Sequence, residues 1–89
     1  MRVIPTAVQE AAALLTDADF EDVDAVLLGA NRMGFAVGKA YLSGYIYGDK
    51  KQRFSDGDFV YTSNLNMIAG DVAATLNSRY RVRFAEEAQ

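Results

Sequence analysis

The sequence predicts an α+β domain: one or two N-terminal helices packed on a small antiparallel β-sheet of four to five strands. Three observations carry that expectation. Apolar residues recur at helical spacing in the first third of the chain. The remainder is rich in aromatic and β-branched residues, broken by turn signals every 8–12 residues or so. No internal repeat, low-complexity tract or linker interrupts the apolar material between Val3 and Phe84. The 89 residues suit one domain rather than two. Within it, residues 1–34 read as an acidic, mainly helical part, 35–85 as a basic, mainly β part, and 86–89 as a frayed tail.

Taken in order, Arg2-Val3-Ile4 is short and β-leaning, and Pro5 stops it because proline has no N–H for a ladder. Val8, Ala11, Ala12 and Leu15 then fall at i, i+3, i+4 and i+7 among strong helix formers, which predicts a short amphipathic helix. Residues 16–19 break it. Asp19 is placed to cap a second helix near 20–30, with Glu21 and Asp22 in its first turn and Phe20, Val23, Leu27 and Ala30 on one face. The competing reading is a buried strand at Val23–Leu28, since five apolar residues in six fit either element.

From Phe35 the pattern becomes β. Ala40–Tyr47 reads as a strand closing on Gly48-Asp49-Lys50-Lys51. Ser55-Asp56-Gly57-Asp58 is a tight turn, because Asp-Gly supplies the positive φ it requires. Phe59–Ser63 follows as a strand. Met67-Ile68 and Val72–Leu76 read as a hairpin across Gly70, and Arg79–Phe84 is the clearest alternation in the chain.

The net charge of −3 hides an asymmetry. Residues 1–24 carry six carboxylates against Arg2 alone, a net of −5, whereas residues 25–85 carry +4. The two halves are either solvated faces, or face each other within or between chains, or address different partners.

With no Cys and no His, disulfide frameworks, zinc fingers, haem ligation, Cys nucleophiles and Ser–His systems are excluded. No apolar run approaches the roughly 18–20 residues of a membrane span. The N-terminal stretch lacks signal-peptide features, so a soluble, intracellular chain without a membrane partner is expected. A calcium loop starting at Asp17 would need Gly and Glu where the chain has Asp22 and Leu28. Gly29 and Gly34 have phosphate-loop separation, but Phe35 and Ala36 stand where Lys and Ser or Thr belong; shifting to Gly34, Gly38 and Lys39 shortens the loop. Asp56 and Asp58 flank a turn glycine, a place where carboxylates are rarely buried enough for acid–base work. Ser43, Ser63, Ser78, Thr62 and Thr75 lack an activating lysine in a Ser-x-x-Lys pattern. No catalytic residue, metal ligand or cofactor is assigned, and a non-enzymatic chain is expected.

A period of two puts Arg79, Arg81 and Arg83 on one strand face and Tyr80, Val82 and Phe84 on the other. Guanidiniums about 6.5–7 Å apart repel, so they need carboxylates, phosphates or water. Lys50, Lys51 and Arg53 are candidates to extend that surface, and Tyr41, Tyr45, Tyr47 and Tyr61 offer stacking rings of the kind nucleic-acid sheets use. The acidic net charge weighs against phosphate binding. The expected binding residues are Arg79, Arg81, Arg83, Tyr61, Tyr45 and Tyr47, with Asp19, Glu21 and Asp22 as a second surface.

The runs Gly44-Tyr45-Ile46-Tyr47-Gly48-Asp49, Arg53-Phe54-Ser55-Asp56-Gly57 continuing to Thr62-Ser63, and Asn77-Ser78-Arg79-Tyr80-Arg81-Val82 resemble small phage- and prophage-encoded accessory proteins of unknown activity. Those proteins carry an Arg-Phe-x-Asp-Gly turn, an extended run ending in Thr-Ser and a later Asn-Ser-x-Tyr. The resemblance spans residues 44–84. It implies the cytoplasm of a bacterial host and action by binding a host or defence-system protein, as anti-CRISPR proteins do. The alternative is a small β-domain that binds nucleic acid or a phosphorylated small ligand. A homo-oligomer, most simply a dimer, is also expected, because a 51% hydrophobic chain of this length buries only about 60–65% of its unfolded surface.

Overall fold

The apolar run that the sequence leaves open between helix and strand is a strand, and it organises the molecule. The computed structural model describes residues 3–34 and 39–85. Helix α1 (Thr6–Ala13) begins directly after Pro5, whose carbonyl accepts the Val8 and Gln9 N–H groups at 3.0 and 3.1 Å. One 3₁₀ turn follows (Asp17–Phe20), and then strand β1 (Ala25–Met33). The helix expected over 20–30 is therefore corrected. Ala25, Val26, Leu27 and Leu28 are all at most 1% exposed. A strand buried on both faces loses its polar alternation and reads as an unbroken apolar run. Val3 and Ile4 belong to no strand, while the β grammar expected at 35–38 and the tail expected at 86–89 lie outside the described residues.

Five more strands follow: β2 (Tyr41–Tyr47), β3 (Phe59–Tyr61), β4 (Leu65–Ala69), β5 (Val72–Thr75) and β6 (Arg79–Phe84). The class is α+β, with one sheet of six strands in the order β3-β2-β1-β6-β5-β4 rather than four to five. Nor is it purely antiparallel, because β1 and β6 pair in parallel, with Ala25 opposite Tyr80 and Leu27 opposite Val82. The extra strand comes from the segment expected to be helical.

This sheet cannot be flat. Six strands at ordinary spacing would set the two outer strands about 24 Å apart. Yet only residues 62–64 connect β3 to β4, and the four steps from Tyr61 to Leu65 reach at most about 14 Å. The sheet curls so that its edges approach. Thr62 N–H extends the β2–β3 ladder by donating to the Leu42 carbonyl at 2.8 Å, and Leu65 N–H, at the start of β4, crosses to the Ala40 carbonyl just before β2 at 2.7 Å. The Leu42 N–H in turn donates to Thr62 Oγ1 at 2.9 Å. Inside the curl sit Ala25, Leu27, Leu42, Ile46, Val60, Ala73, Tyr80 and Val82, none more than 5% exposed. The outer face over β1 and β2 carries the second cluster, Val26, Leu28 and Tyr45 beneath Val8 of α1.

One glycine fixes how the base of the curl is packed. Gly48 sits at φ +61° immediately after β2, and a Cβ there would overlap the Phe20 ring. The turn after β2 and the 3₁₀ turn are thereby held together.

Thr62→Val keeps the side-chain shape and leaves the Leu42 N–H without its acceptor. The expected cost is about 1–2 kcal/mol, read as a lower urea midpoint with an unchanged m-value.

Candidate functional site

The alternation read in β6 is correct, and the fate of its three arginines decides which surface is left free. Tyr80 and Val82 point inward, and Arg79, Arg81 and Arg83 point outward. Gly70 at φ +61° closes the β4–β5 hairpin and brings Asp71 beside β6, where its carbonyl accepts the Val82 N–H at 2.7 Å. The Arg81 guanidinium donates to both Asp71 carboxylate oxygens at 2.9 and 3.1 Å, and Arg83 donates to Asp71 Oδ2 at 3.0 Å. The same two side chains also reach the acidic front of the chain. Arg81 donates to the backbone carbonyls of Asp19 and Glu21 at 2.8 and 3.1 Å, and Arg83 meets Asp19 Oδ1 at 3.4 Å. These guanidiniums hold the Asp71 carboxyl below the ordinary aspartate range.

Of the acidic residues expected to form a second surface, Asp19 is thus part of an internal network, and its Oδ2 also accepts the Thr16 N–H at 2.8 Å. It is the third residue of the 3₁₀ turn and closes a capping box with Thr16, instead of capping a long helix. Glu21 contributes its carbonyl to that network, while its side chain and that of Asp22 stay exposed. Asp22 lies in the left-handed region at φ +63°. Arg79 is also exposed; its backbone N–H donates to Asp24 Oδ2 at 2.9 Å and its carbonyl accepts the Asp24 N–H at 2.8 Å.

Lys50, Lys51 and Arg53 do not extend the β6 surface. Lys51 and Arg53 belong to a network around Asp49, a residue no sequence pattern marks because its surroundings read as an ordinary charged turn. The Asp49 side chain is 1% exposed. It accepts the Arg53 N–H at 2.9 Å, the Lys51 N–H at 3.2 Å, and Arg53 Nε and a terminal nitrogen at 3.1 Å each. Burial alone would raise its pKa, but these donors outweigh it and the carboxyl is held low. Arg53 and Lys51 also donate to Ser78 Oγ, both at 2.9 Å, and Lys50 Nζ donates to the Phe20 carbonyl at 2.6 Å. Together these bonds fasten the β2–β3 connection to the turn before β6 and to the 3₁₀ turn. Asp56 and Asp58 do turn work, accepting the Gly48 and Ser55 N–H groups at 2.7 and 2.9 Å.

A further open surface is aromatic and apolar. Ser43 pairs with Tyr61 and Tyr45 with Phe59, so the outer faces of β2 and β3 carry a row of rings in edge contact. Centroid separations are 5.1 Å for Tyr45–Phe59, 5.4 Å for Phe59–Tyr61 and 6.1 Å for Tyr41–Tyr61. The row runs from Tyr45, which is buried, to Tyr61, which is 60% exposed. Tyr47 packs into the α1 cluster; burial first, and the Asp56 charge second, push its phenol pKa up.

Tyr45 and Phe59 also line a cleft of about 810 Å³ between α1 and the sheet, with Val8, Ala11, Leu14 and Leu28. Its polar groups are Asn31 and the ion-paired Asp19 and Arg83. Gly29, at φ +59° in a bulge of β1, sets the approach of the helix, because a Cβ there would lie 2.7 Å from Val8 Cγ2. Among α1 residues only Val8 is fully buried. Leu14, on the cleft, is 79% exposed. Sequence reading found the row through Tyr45 and Tyr61. It missed Leu14, Leu28 and Phe59, whose roles depend on where α1 lands. Among the described residues no group of three or more Asp, Glu, His or Cys side chains could hold a metal ion, and no helix is long and apolar enough to cross a membrane.

Both depressed carboxyls impose one direction of pH dependence. Their stabilisation is fully present above the unfolded aspartate value of about 3.9 and is lost as pH falls through the folded values. Asp49→Asn is expected to cost about 2 kcal/mol near neutral pH. Asp71→Asn, at a side chain 46% exposed, costs less than about 1 kcal/mol. Urea denaturation at a series of pH values from 7 to 2, on all three proteins, checks both the order of the losses and the flatter acid limb of each variant.

No family model matches the chain, and no curated protein or solved structure matches it.

Proposed function

We propose that the chain is a non-enzymatic binding protein that acts by contact with another protein. The observation that carries this reading is the apolar cleft, continuous through Tyr45 and Phe59 with the aromatic row that ends on exposed Tyr61. Concave apolar surface flanked by tyrosines is what interface anchors fill. The charged groups lining the cleft, Asp19 and Arg83, hold one another, an arrangement suited to positioning rather than proton transfer.

The partner is a host or defence-system protein, blocked in an anti-CRISPR-like manner in the cytoplasm of a bacterial host. This part of the proposal rests on the resemblance of residues 44–84 to phage and prophage accessory proteins. Self-association to a homodimer belongs to the same proposal, supported by exposed apolar side chains away from the cleft, Met67 and Leu76. Binding of nucleic acid or a phosphorylated ligand draws less support. Two of the three arginines that would hold phosphates already hold carboxylates, and the chain is net acidic.

The test is affinity recovery from bacterial host lysates with wild type and Tyr61→Arg, which alters an exposed position and leaves the core intact. A stoichiometric protein retained by wild type and reduced about tenfold or more by the variant is expected. Absence of any such protein at low and physiological ionic strength overturns the reading. Recovery of nucleic acid with a steep salt dependence favours the alternative.

A further inference from the structure

The cleft lies in a one-sided electrostatic setting. Every charged side chain between residues 3 and 24 is a carboxylate, and α1 carries no cation. Two of the six are engaged: Asp19 by Arg83, and Asp24 by the Arg79 N–H. Glu10, Asp17, Glu21 and Asp22 are exposed and form no ion pair among the described residues. Glu10 sits one helical turn from Ala7 and from Leu14, both of which line the cleft. Among the described residues, Arg83 is the cation that lines it, and it faces two carboxylates, Asp71 and Asp19. An apolar cleft beside exposed carboxylates that form no ion pair among the described residues repels acidic segments and attracts basic ones.

The shape narrows the choice further. A small-molecule pocket encloses most of its ligand. Here the helix wall is open, since Ala7 is exposed and Leu14 is 79% exposed. A side chain carried on a longer segment suits such a trough, with the flanking residues of that segment lying along α1.

We infer that this cleft receives an apolar side chain from a lysine- or arginine-rich segment of the partner protein, and that Glu10 and Asp17 draw that segment in. The inference rests on the protein-binding reading above and names the chemistry of the partner. Of the two charged surfaces expected from the sequence it selects the acidic one: Arg81 and Arg83 are held within the molecule, and the acidic front meets the partner.

The probes are two synthetic amphipathic 14-residue peptides with one leucine pattern, the first with lysine and the second with glutamate at every polar position. Each is titrated into the ¹⁵N-labelled protein at low salt. The lysine peptide is expected to bind, with amide shifts concentrated in α1, Leu28, Asn31, Phe59 and Phe84. The double variant Glu10→Lys/Asp17→Lys changes two exposed positions and is expected to weaken binding about three- to tenfold at low salt and little at high salt. Leu14→Asp is expected to weaken it at both.

Equal or tighter binding of the glutamate peptide overturns the inference. So does binding of neither peptide, shifts centred away from the cleft, or loss of the cleft signals through self-association in the absence of peptide. The parent reading is scored separately. A host protein whose recovery is lost in Tyr61→Arg but unchanged in Leu14→Asp and in the double variant leaves protein binding standing and removes the cleft from it.

Discussion

The three-residue junction between β3 and β4 constrains almost everything else in this molecule. A connection that short cannot cross an open six-stranded sheet, so the sheet closes on itself and supplies its own interior. The leucines, valines and tyrosine inside need no helix to cover them. Helix α1 is thereby released from the role a helix has in an open α+β sandwich, where it is the second layer of the core. It lies on the outside of an already closed structure, with mostly alanine to offer. The cleft follows from that arrangement, because a thin helix resting on a curved surface leaves apolar side chains incompletely covered.

Strand pairing also explains where the charges go. Because β5 pairs with β6, the β4–β5 turn puts Asp71 beside β6, and the 3₁₀ turn lies against the same strand. Arg81 and Arg83 are thus bracketed by Asp71 and Asp19. Stacked guanidiniums that would repel along an isolated strand are interleaved with carboxylates instead. Around Asp49, the buried carboxyl is surrounded by donors from its own turn, which is the condition under which a buried charge is tolerated. Net acidity consequently resides on α1 and the segment after it.

The β strands after residue 40 were legible because each shows a face to solvent or ends on a turn residue with a geometric reason to be there. Gly57 at φ +89° and Gly70 at φ +61° are such residues. Arg79 to Phe84 gave away both its period and its inward face. Strand β1 resisted because over Ala25–Leu28 its two neighbours and both its faces are protein, and periodicity carries no signal where every side chain is buried. The parallel pairing of β1 with β6 leaves no local mark either. At the site, the tyrosine row was visible as composition, but Asp49 and the cleft were not. Both arise from residues far apart in sequence meeting across the closed sheet, as Arg53 meets Ser78 across 25 positions. The charge split was legible as arithmetic, and only the fold distinguishes internal pairing from display.

The pairing of β1 with β6 has a kinetic side. The Arg79 N–H reaches Asp24 across 55 positions, and no shorter-range contact can stand in for it. A chain emerging from synthesis can form α1, the β1–β2 pair and the β4–β5 hairpin early, each from near neighbours. One edge of its most apolar strand then stays open until β6 arrives. Folding of this kind is governed by a single late loop closure, and is slow relative to what the small size suggests. In that interval Ala25, Val26, Leu27 and Leu28 present an unpaired, uncharged edge to any other chain. The strand that is best protected in the finished molecule is therefore the one most exposed to misassembly while the molecule is being made.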